Sequence, residues 1–206
     1  MTLMRGSADR MAAMTNPSSH AVDAPGSSRP LRFDLHTRMT HWLNAFLILA
    51  LMGTGAAMYF TPIGNAIGNR NVVKYVHIVV GLLLPLAIFL PFLGRRAQML
   101  RFEIRALNRW VSGDARWLMT LGARGAKDGK YNAGQKLNSA ILAGCLLVLW
   151  ITGVVLAPYV PTSDLYRTSA TFTHDSFALV AWVAVTGHIF MATIHPNSLR
   201  AMLRGR

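Results

Sequence analysis

Four stretches of this chain, residues 43–60, 76–93, 137–157 and 177–194, are almost unbroken apolar sequence. A helix needs about 20 such residues to cross a hydrocarbon core of about 30 Å. Inside that core no water satisfies backbone N–H and C=O groups, so a spanning segment has to be a helix. A soluble domain of 206 residues has no use for four runs of this length. The sequence therefore predicts an all-α membrane protein, a four-transmembrane-helix bundle. Its helices are expected at about 41–60, 75–93, 137–157 and 174–195, within one domain over residues 31–206 and with a loop at 94–136.

The formal net charge is +13, a balance that in a soluble protein would suggest nucleic acid. Its distribution argues against that reading. Of the 21 Lys and Arg, five lie in residues 1–40, ten between the second and third spans and three after His195, which leaves only Arg70, Lys74 and Arg167 in the other two loops. The positive-inside rule then puts both termini and the central loop in the cytoplasm. Some of this charge is expected to face anionic lipid head groups; no nucleic-acid partner is expected. Residues 1–30, rich in Ser, Ala, Pro and Gly, read as a flexible cytoplasmic extension. They have no signal-peptide apolar run and are expected to be retained. The single cysteine, Cys145, lies within the third span and reads as packing; there is no C-x-x-C-H attachment motif. No internal repeat is visible.

The histidines carry the chemistry. His174 and His188 are fourteen residues apart on the fourth span, close to four turns, so both leave one face about 21 Å apart along the axis. Ionisable groups within a membrane are costly and usually functional. His41 opens the first span and His77 lies in the first turn of the second, while the third has none. Following the chain back and forth pairs His41 with His188 on the inner side and His77 with His174 on the outer. Four ligands at two depths suit two bis-histidine b-type haems, with iron as the metal, since neutral imidazole is a good axial ligand. A lone intramembrane histidine more often bonds across helices, but four matched in depth favour ligation. Gly53, Gly55, Gly81 and Gly187 remove bulk where a flat macrocycle would approach, although each alone also fits ordinary helix packing. His195 reads as interfacial, with contact to a haem propionate or a quinone as the alternative. His20 and His36 read as solvated.

The run RFDLHTRMTHW before the first span, KYVHIVVG opening the second, KYNAGQKLN before the third and the His174/His188 spacing together resemble a known pattern. It is that of the gamma subunit of membrane-bound respiratory formate dehydrogenase, a four-helix di-haem cytochrome b. That subunit sits within the bacterial cytochrome b561 and nickel–iron hydrogenase cytochrome b group. The resemblance covers residues 32–204. It implies that His77 and His174 hold the outer haem and that His41 and His188 hold the inner one. It also implies a quinone, menaquinone or ubiquinone, bound beside the inner haem at Asn132, Gly134 and Gln135, with His188 nearby. The implied partners are an iron–sulfur subunit and a molybdenum or tungsten catalytic subunit, and the implied place is the bacterial cytoplasmic (inner) membrane. The chain would join an oxidoreductase of anaerobic respiration and would hold no formate-oxidising, catalytic site of its own.

Physical chemistry is compatible with that quinone site. The Asn132 and Gln135 amides are donors for a quinone carbonyl, Gly134 would let backbone approach a flat ring, and Lys136 or a water chain would pass protons. Read from the residues alone, Asn132 and Gly134 equally fit a turn and helix start. Two other functions remain open. One is the cytochrome b subunit of a nickel–iron hydrogenase or another molybdoenzyme. The other is a histidine-relay proton channel or transporter without haem, against which the third span offers only Asn138, Ser139 and Thr152 as polar residues. The outer loops, 61–74 and 158–173, contain Pro62, Pro158 and Pro161 and fit either a docking face or ordinary connections.

Overall fold

A computed structural model describes residues 32–94, 97–124 and 129–205. The expectations for residues 1–30 and for His20 lie outside the described residues. Among the described residues the chain is helical with no strand: α1 Leu35–Tyr59, α2 Thr61–Ile67, α3 Arg70–Phe89 continued by a 3-10 turn over Leu90–Phe92, α4 Ala97–Leu107, α5 Ser112–Met119, α6 Ala133–Leu156, α7 Asp164–Ile194 and α8 Pro196–Arg204. Four are long and apolar enough to cross a membrane: α1 with 25 residues, α3 and its turn with 23, α6 with 24 and α7 with 31. At 1.5 Å per residue α6 is about 36 Å long, enough for the hydrocarbon, and α7 is about 46 Å, well beyond it. Large apolar side chains such as Phe46, Leu83, Leu147 and Val183 are exposed along these helices, as lipid-facing positions require.

All four helices start earlier than their apolar runs: α6 at Ala133, α3 at Arg70, which puts His77 two turns in rather than in the first turn, and α1 and α7 by the widest margins. α1 begins at Leu35, where Asp34 accepts a hydrogen bond from the Thr37 backbone N–H at 3.1 Å and so satisfies an orphan donor of the first turn. α7 begins at Asp164, so residues expected to be outer loop form its first turns. There Ser169, Thr171 and Thr173 donate to the carbonyls of Leu165, Arg167 and Ser169 at 2.9 Å each. Their hydroxyls are satisfied within the helix, so polarity does not end it. Likewise 61–67 is α2, with Pro62 in its first turn, where a missing N–H costs nothing.

The spans pack as two antiparallel hairpins. α1 lies on α3, α6 lies on α7, and α3 meets α6 to join them. Each hairpin is tied at its turn in the same way. The Arg70 guanidinium donates to the Met58 carbonyl at the end of α1 (3.0 Å), and that of Arg167 donates to the Leu156 carbonyl at the end of α6 (3.3 Å). Both answer carbonyls that a helix end leaves unpaired. At the other end of the bundle, α8 lies across the start of α1. The Arg32 N–H donates to the Gly205 carbonyl at 2.7 Å, Trp42 Nε1–H to Met202 at 3.2 Å, and the Arg38 guanidinium to Met202 and Leu203. The beginning and end of the described domain thus share one end, as an even number of crossings requires. This end is called the near end below, and the opposite one the far end.

The central loop is itself built. α4 buries Glu103, which accepts from the Lys130 ammonium and from the Tyr131 hydroxyl at 2.6 Å. Burial and the neighbouring Glu103 carboxylate hold the Tyr131 hydroxyl well above its ordinary range, so it stays a neutral donor. Lys130 also reaches the Arg32 carbonyl (2.7 Å) and sits 4.2 Å above the Phe33 ring. Asp114, buried on α5, accepts from Lys136 Nζ at 2.7 Å and from the Val111 N–H at 2.8 Å.

The Lys136 hydrogen bond, with the Val111 N–H, holds the Asp114 carboxyl below its usual range. A group with a depressed folded pKa stabilises the fold above its unfolded value, near 4, and loses that contribution as pH falls through the folded value. Acidification below about pH 4 is therefore expected to loosen α5 from α6. Tryptophan fluorescence, read on the parent and on Asp114→Asn, checks this: the step below pH 4 should be present only in the parent.

Candidate functional site

The two pairs of histidines expected to share a depth face one another. His41 of α1 and His188 of α7 have ring centroids 6.2 Å apart with planes at 60°, and His77 of α3 and His174 of α7 are 6.3 Å apart at 69°. No hydrogen bond joins the rings of either pair among the described residues. With metal–nitrogen bonds of about 2.0–2.1 Å and each nitrogen roughly 1 Å from its ring centre, two imidazoles on opposite sides of one ion have centroids about 6 Å apart. Both pairs have that separation. The backbones agree: α7 packs along α6 and α1 along α3, whereas neither α1 nor α3 packs closely on α7. The helices carrying paired rings are held apart, and the imidazoles reach across. Among the described residues no group of three or more His, Cys, Asp or Glu gathers around a point. Two facing histidines without a third protein ligand among the described residues suit a haem, whose macrocycle brings the remaining ligands.

The far pair, His77 and His174, has further support. Thr54 Oγ1 of α1 lies 2.8 Å from His77 Nδ1, and Thr152 Oγ1 of α6 lies 2.9 Å from His174 Nδ1. The residue after each threonine is glycine. A Cβ on Gly55 would lie 3.4 Å from the Cε1 of His77, and one on Gly153 would lie 3.6 Å from the Cε1 of His174. Gly81 instead meets Leu51 at 3.7 Å, ordinary packing between α1 and α3, and nothing lies within 4 Å of a Cβ on Gly53 or Gly187. The near pair differs. No side chain hydrogen-bonds the ring of His41 or His188 among the described residues; His41 meets the Trp42 indole edge-on at 5.5 Å. Thr54, Thr152 and Gly153 went unnoticed in the sequence as site residues, although a Thr-Gly pair toward the far end of both α1 and α6 was there to be read.

Around the start of α6 the structure adds constraints. Asn132 and Gln135 form a reciprocal cap: Asn132 Oδ1 accepts from the Gln135 N–H at 2.9 Å, and Gln135 Oε1 accepts from the Asn132 N–H at 3.0 Å. Their amide oxygens are committed to the helix start, while their NH₂ groups donate to no protein acceptor among the described residues. A Cβ on Gly134 would come within 2.9 Å of the Trp117 indole, so this glycine makes room for a tryptophan of α5. No hydrogen bond joins Asn132, Gly134 or Gln135 to His188 among the described residues. Lys136 is buried in its pair with Asp114. His36, expected in solvent, lies within α1 and bonds through Nε2 to the Pro91 carbonyl at 3.0 Å, tying α1 to the end of α3. His195 is exposed at the break between α7 and α8, with Nδ1 2.9 Å from the Met191 carbonyl.

The sequence profile of the prokaryotic cytochrome b561 family matches residues 32–205. The chain belongs to that family. It is a multi-pass membrane cytochrome b of electron transfer, and the family implies haem b, which the facing imidazoles fit. Over 194 residues this cytochrome b is 24% identical to a protein of Haemophilus influenzae, "Formate dehydrogenase, cytochrome b556 subunit", across 89% of this chain and 79% of the relative.

Gly134→Ala would drive a methyl group into a rigid indole, and overpacking of this kind costs about 1–3 kcal/mol. The cytochrome is expected to melt at lower temperature with altered tryptophan emission. An unchanged melt would mean that Trp117 moves freely and does not need the glycine.

Proposed function

We propose that this cytochrome b is the membrane-anchoring subunit of a formate dehydrogenase and carries electrons across the bacterial inner membrane to a quinone. The observation that carries the reading is the pair of facing imidazole sets, 6.2 and 6.3 Å between centroids, at two depths of one bundle. The relative from Haemophilus influenzae supports formate dehydrogenase as the complex. In this reading both termini and the near end are cytoplasmic, as the basic loops favour. An iron–sulfur subunit docks at the far, outer end and links this chain to a molybdenum or tungsten subunit that oxidises formate.

Two b haems, held by His77 with His174 and by His41 with His188, supply one-electron carriers at the two depths. The chain keeps them in apolar surroundings, fixes their separation through α7 and excludes water from the path. At the near end a quinone takes up two electrons and two protons from the cytoplasm to become the quinol. The NH₂ groups of Asn132 and Gln135 serve as donors to its carbonyl, with their oxygens holding the start of α6 in place. His188 orients the neighbouring site. Inward movement of negative charge and proton uptake from the inner phase both add to the transmembrane potential.

Purified full-length protein is expected to contain two haem b per chain by reduced-minus-oxidised spectroscopy and haem extraction. His77→Ala should lose the outer haem alone, and His188→Ala should lose the inner haem together with quinone reduction. Two haems and full activity in either variant would overturn the ligand assignment. A folded parent made with ample haem but containing none would leave the histidines as a proton relay.

A further inference from the structure

The two hairpins are built to one plan at the far end. In the first, Thr54 is followed by Gly55, the Met58 carbonyl four residues after the threonine is capped by Arg70, and His77 lies seven residues after that arginine. In the second, Thr152 is followed by Gly153, the Leu156 carbonyl four residues on is capped by Arg167, and His174 again lies seven residues after the arginine. Each threonine reaches across its own hairpin to the histidine of the returning helix. The far site is therefore assembled from two equivalent halves, one per hairpin, related as parallel repeats about an axis along the membrane normal. The near site has no such plan: His41 is on the first helix of its hairpin and His188 on the second helix of the other.

The proton positions follow from the threonines. Thr54 Oγ1 is 2.8 Å from the Ala50 carbonyl and 3.2 Å from that of Leu51; Thr152 Oγ1 is 2.8 Å from Val148 and 3.2 Å from Leu149. A carbonyl only accepts, and each hydroxyl has one within 2.8 Å to which its single proton can be directed. The hydroxyl oxygen then accepts from the histidine, whose Nδ1 carries the hydrogen and whose Nε2 keeps its lone pair. A hydrogen bond donated from the far side of a ligating imidazole fixes its tautomer and orientation and makes it a stronger electron donor.

We propose that Thr54 and Thr152 are the positioning residues of the far site. They commit His77 and His174 to bind iron through Nε2 and hold that haem at a lower reduction potential than the near site, whose rings have no such partners among the described residues. This rests on the haem ligation proposed above. A stronger donor set favours the ferric state and lowers the potential. Electrons then run downhill from far end to near end, so the direction of transfer is written into two hydroxyls.

Redox titration of the haem spectrum, in membranes containing the full chain, tests this with Thr54→Val, Thr152→Val and the double variant. Valine keeps the shape and removes only the hydroxyl. One of the two haem transitions is expected to move to higher potential, furthest in the double variant. It should be the transition that disappears in His77→Ala, and the other should stay in place. Haem affinity at that site should fall about tenfold to a hundredfold, and Thr→Ser at either position should restore both properties. Loss of that haem alone, with retention in the serine variants, supports the same assignment. Two unmoved transitions, movement of the one that depends on His41, equal damage to both, or serine variants shifted as far as valine would each overturn it. These outcomes presuppose a parent with two transitions. A parent without haem overturns the ligation itself, and with it this role for the threonines.

Discussion

An imidazole placed in hydrocarbon needs a partner, because each of its ring nitrogens loses water that lipid does not replace. In this chain the rings are set out in facing pairs across the bundle. α7 carries one ring at each of two depths, and α1 and α3 each present a ring opposite. The rest of the architecture keeps those distances. α6 holds α7 along its length, α1 and α3 hold each other, and the contact of α3 with α6 fixes one hairpin against the other without closing the interval that the rings span. A tighter bundle would bury more apolar surface and lose the two sites.

The near end secures that geometry with charge. Glu103 and Asp114, both buried, draw in Lys130 and Lys136 on either side of residues 132–135. The start of α6 is thereby anchored to α4, α5 and the residues leading into α1. Trp117 packs over Gly134 and also contacts Gly122, so α5 reads the absence of a side chain at both places. The reciprocal cap fixes the start of α6 through both amide oxygens, and the two NH₂ groups donate to no protein acceptor among the described residues. The far end uses simpler means: an arginine on each returning helix seals the carbonyl end of the first helix of its hairpin.

Much of this was legible in the sequence, because both signals are periodic. Apolar runs of membrane length fix the spans, and the fourteen-residue interval of His174 and His188 fixes a face, after which alternating direction decides which rings can meet. What was hidden depends on residues distant in sequence. The partner of Gly134 is an indole from another helix, so the glycine fits a quinone surface and a packing site equally well until Trp117 is placed. The early start of α7 was missed because hydropathy detects hydrocarbon, whereas a helix continues wherever its hydroxyls bond to their own carbonyls. The likeness of the two hairpins rests on Thr-Gly, one arginine and one histidine in each, too few shared residues to stand out before Thr54 meets His77 and Thr152 meets His174.

That one helix contributes to both pairs has a bearing on biogenesis. Spans enter the membrane in the order of synthesis, and α7 is the last of the four. When α1 and α3 are already inserted, His41 and His77 have nothing opposite them, and they stay so through translation of the whole central segment and α6. Neither site can be nucleated by a half-made chain, and both become available together once α7 enters. α8 then closes on Arg32, Arg38 and Trp42, a latch reached only after the last of the four facing histidines is in place. A truncated or stalled product would therefore display bare imidazoles inside the bilayer, a signature by which membrane quality control could tell it from the finished protein.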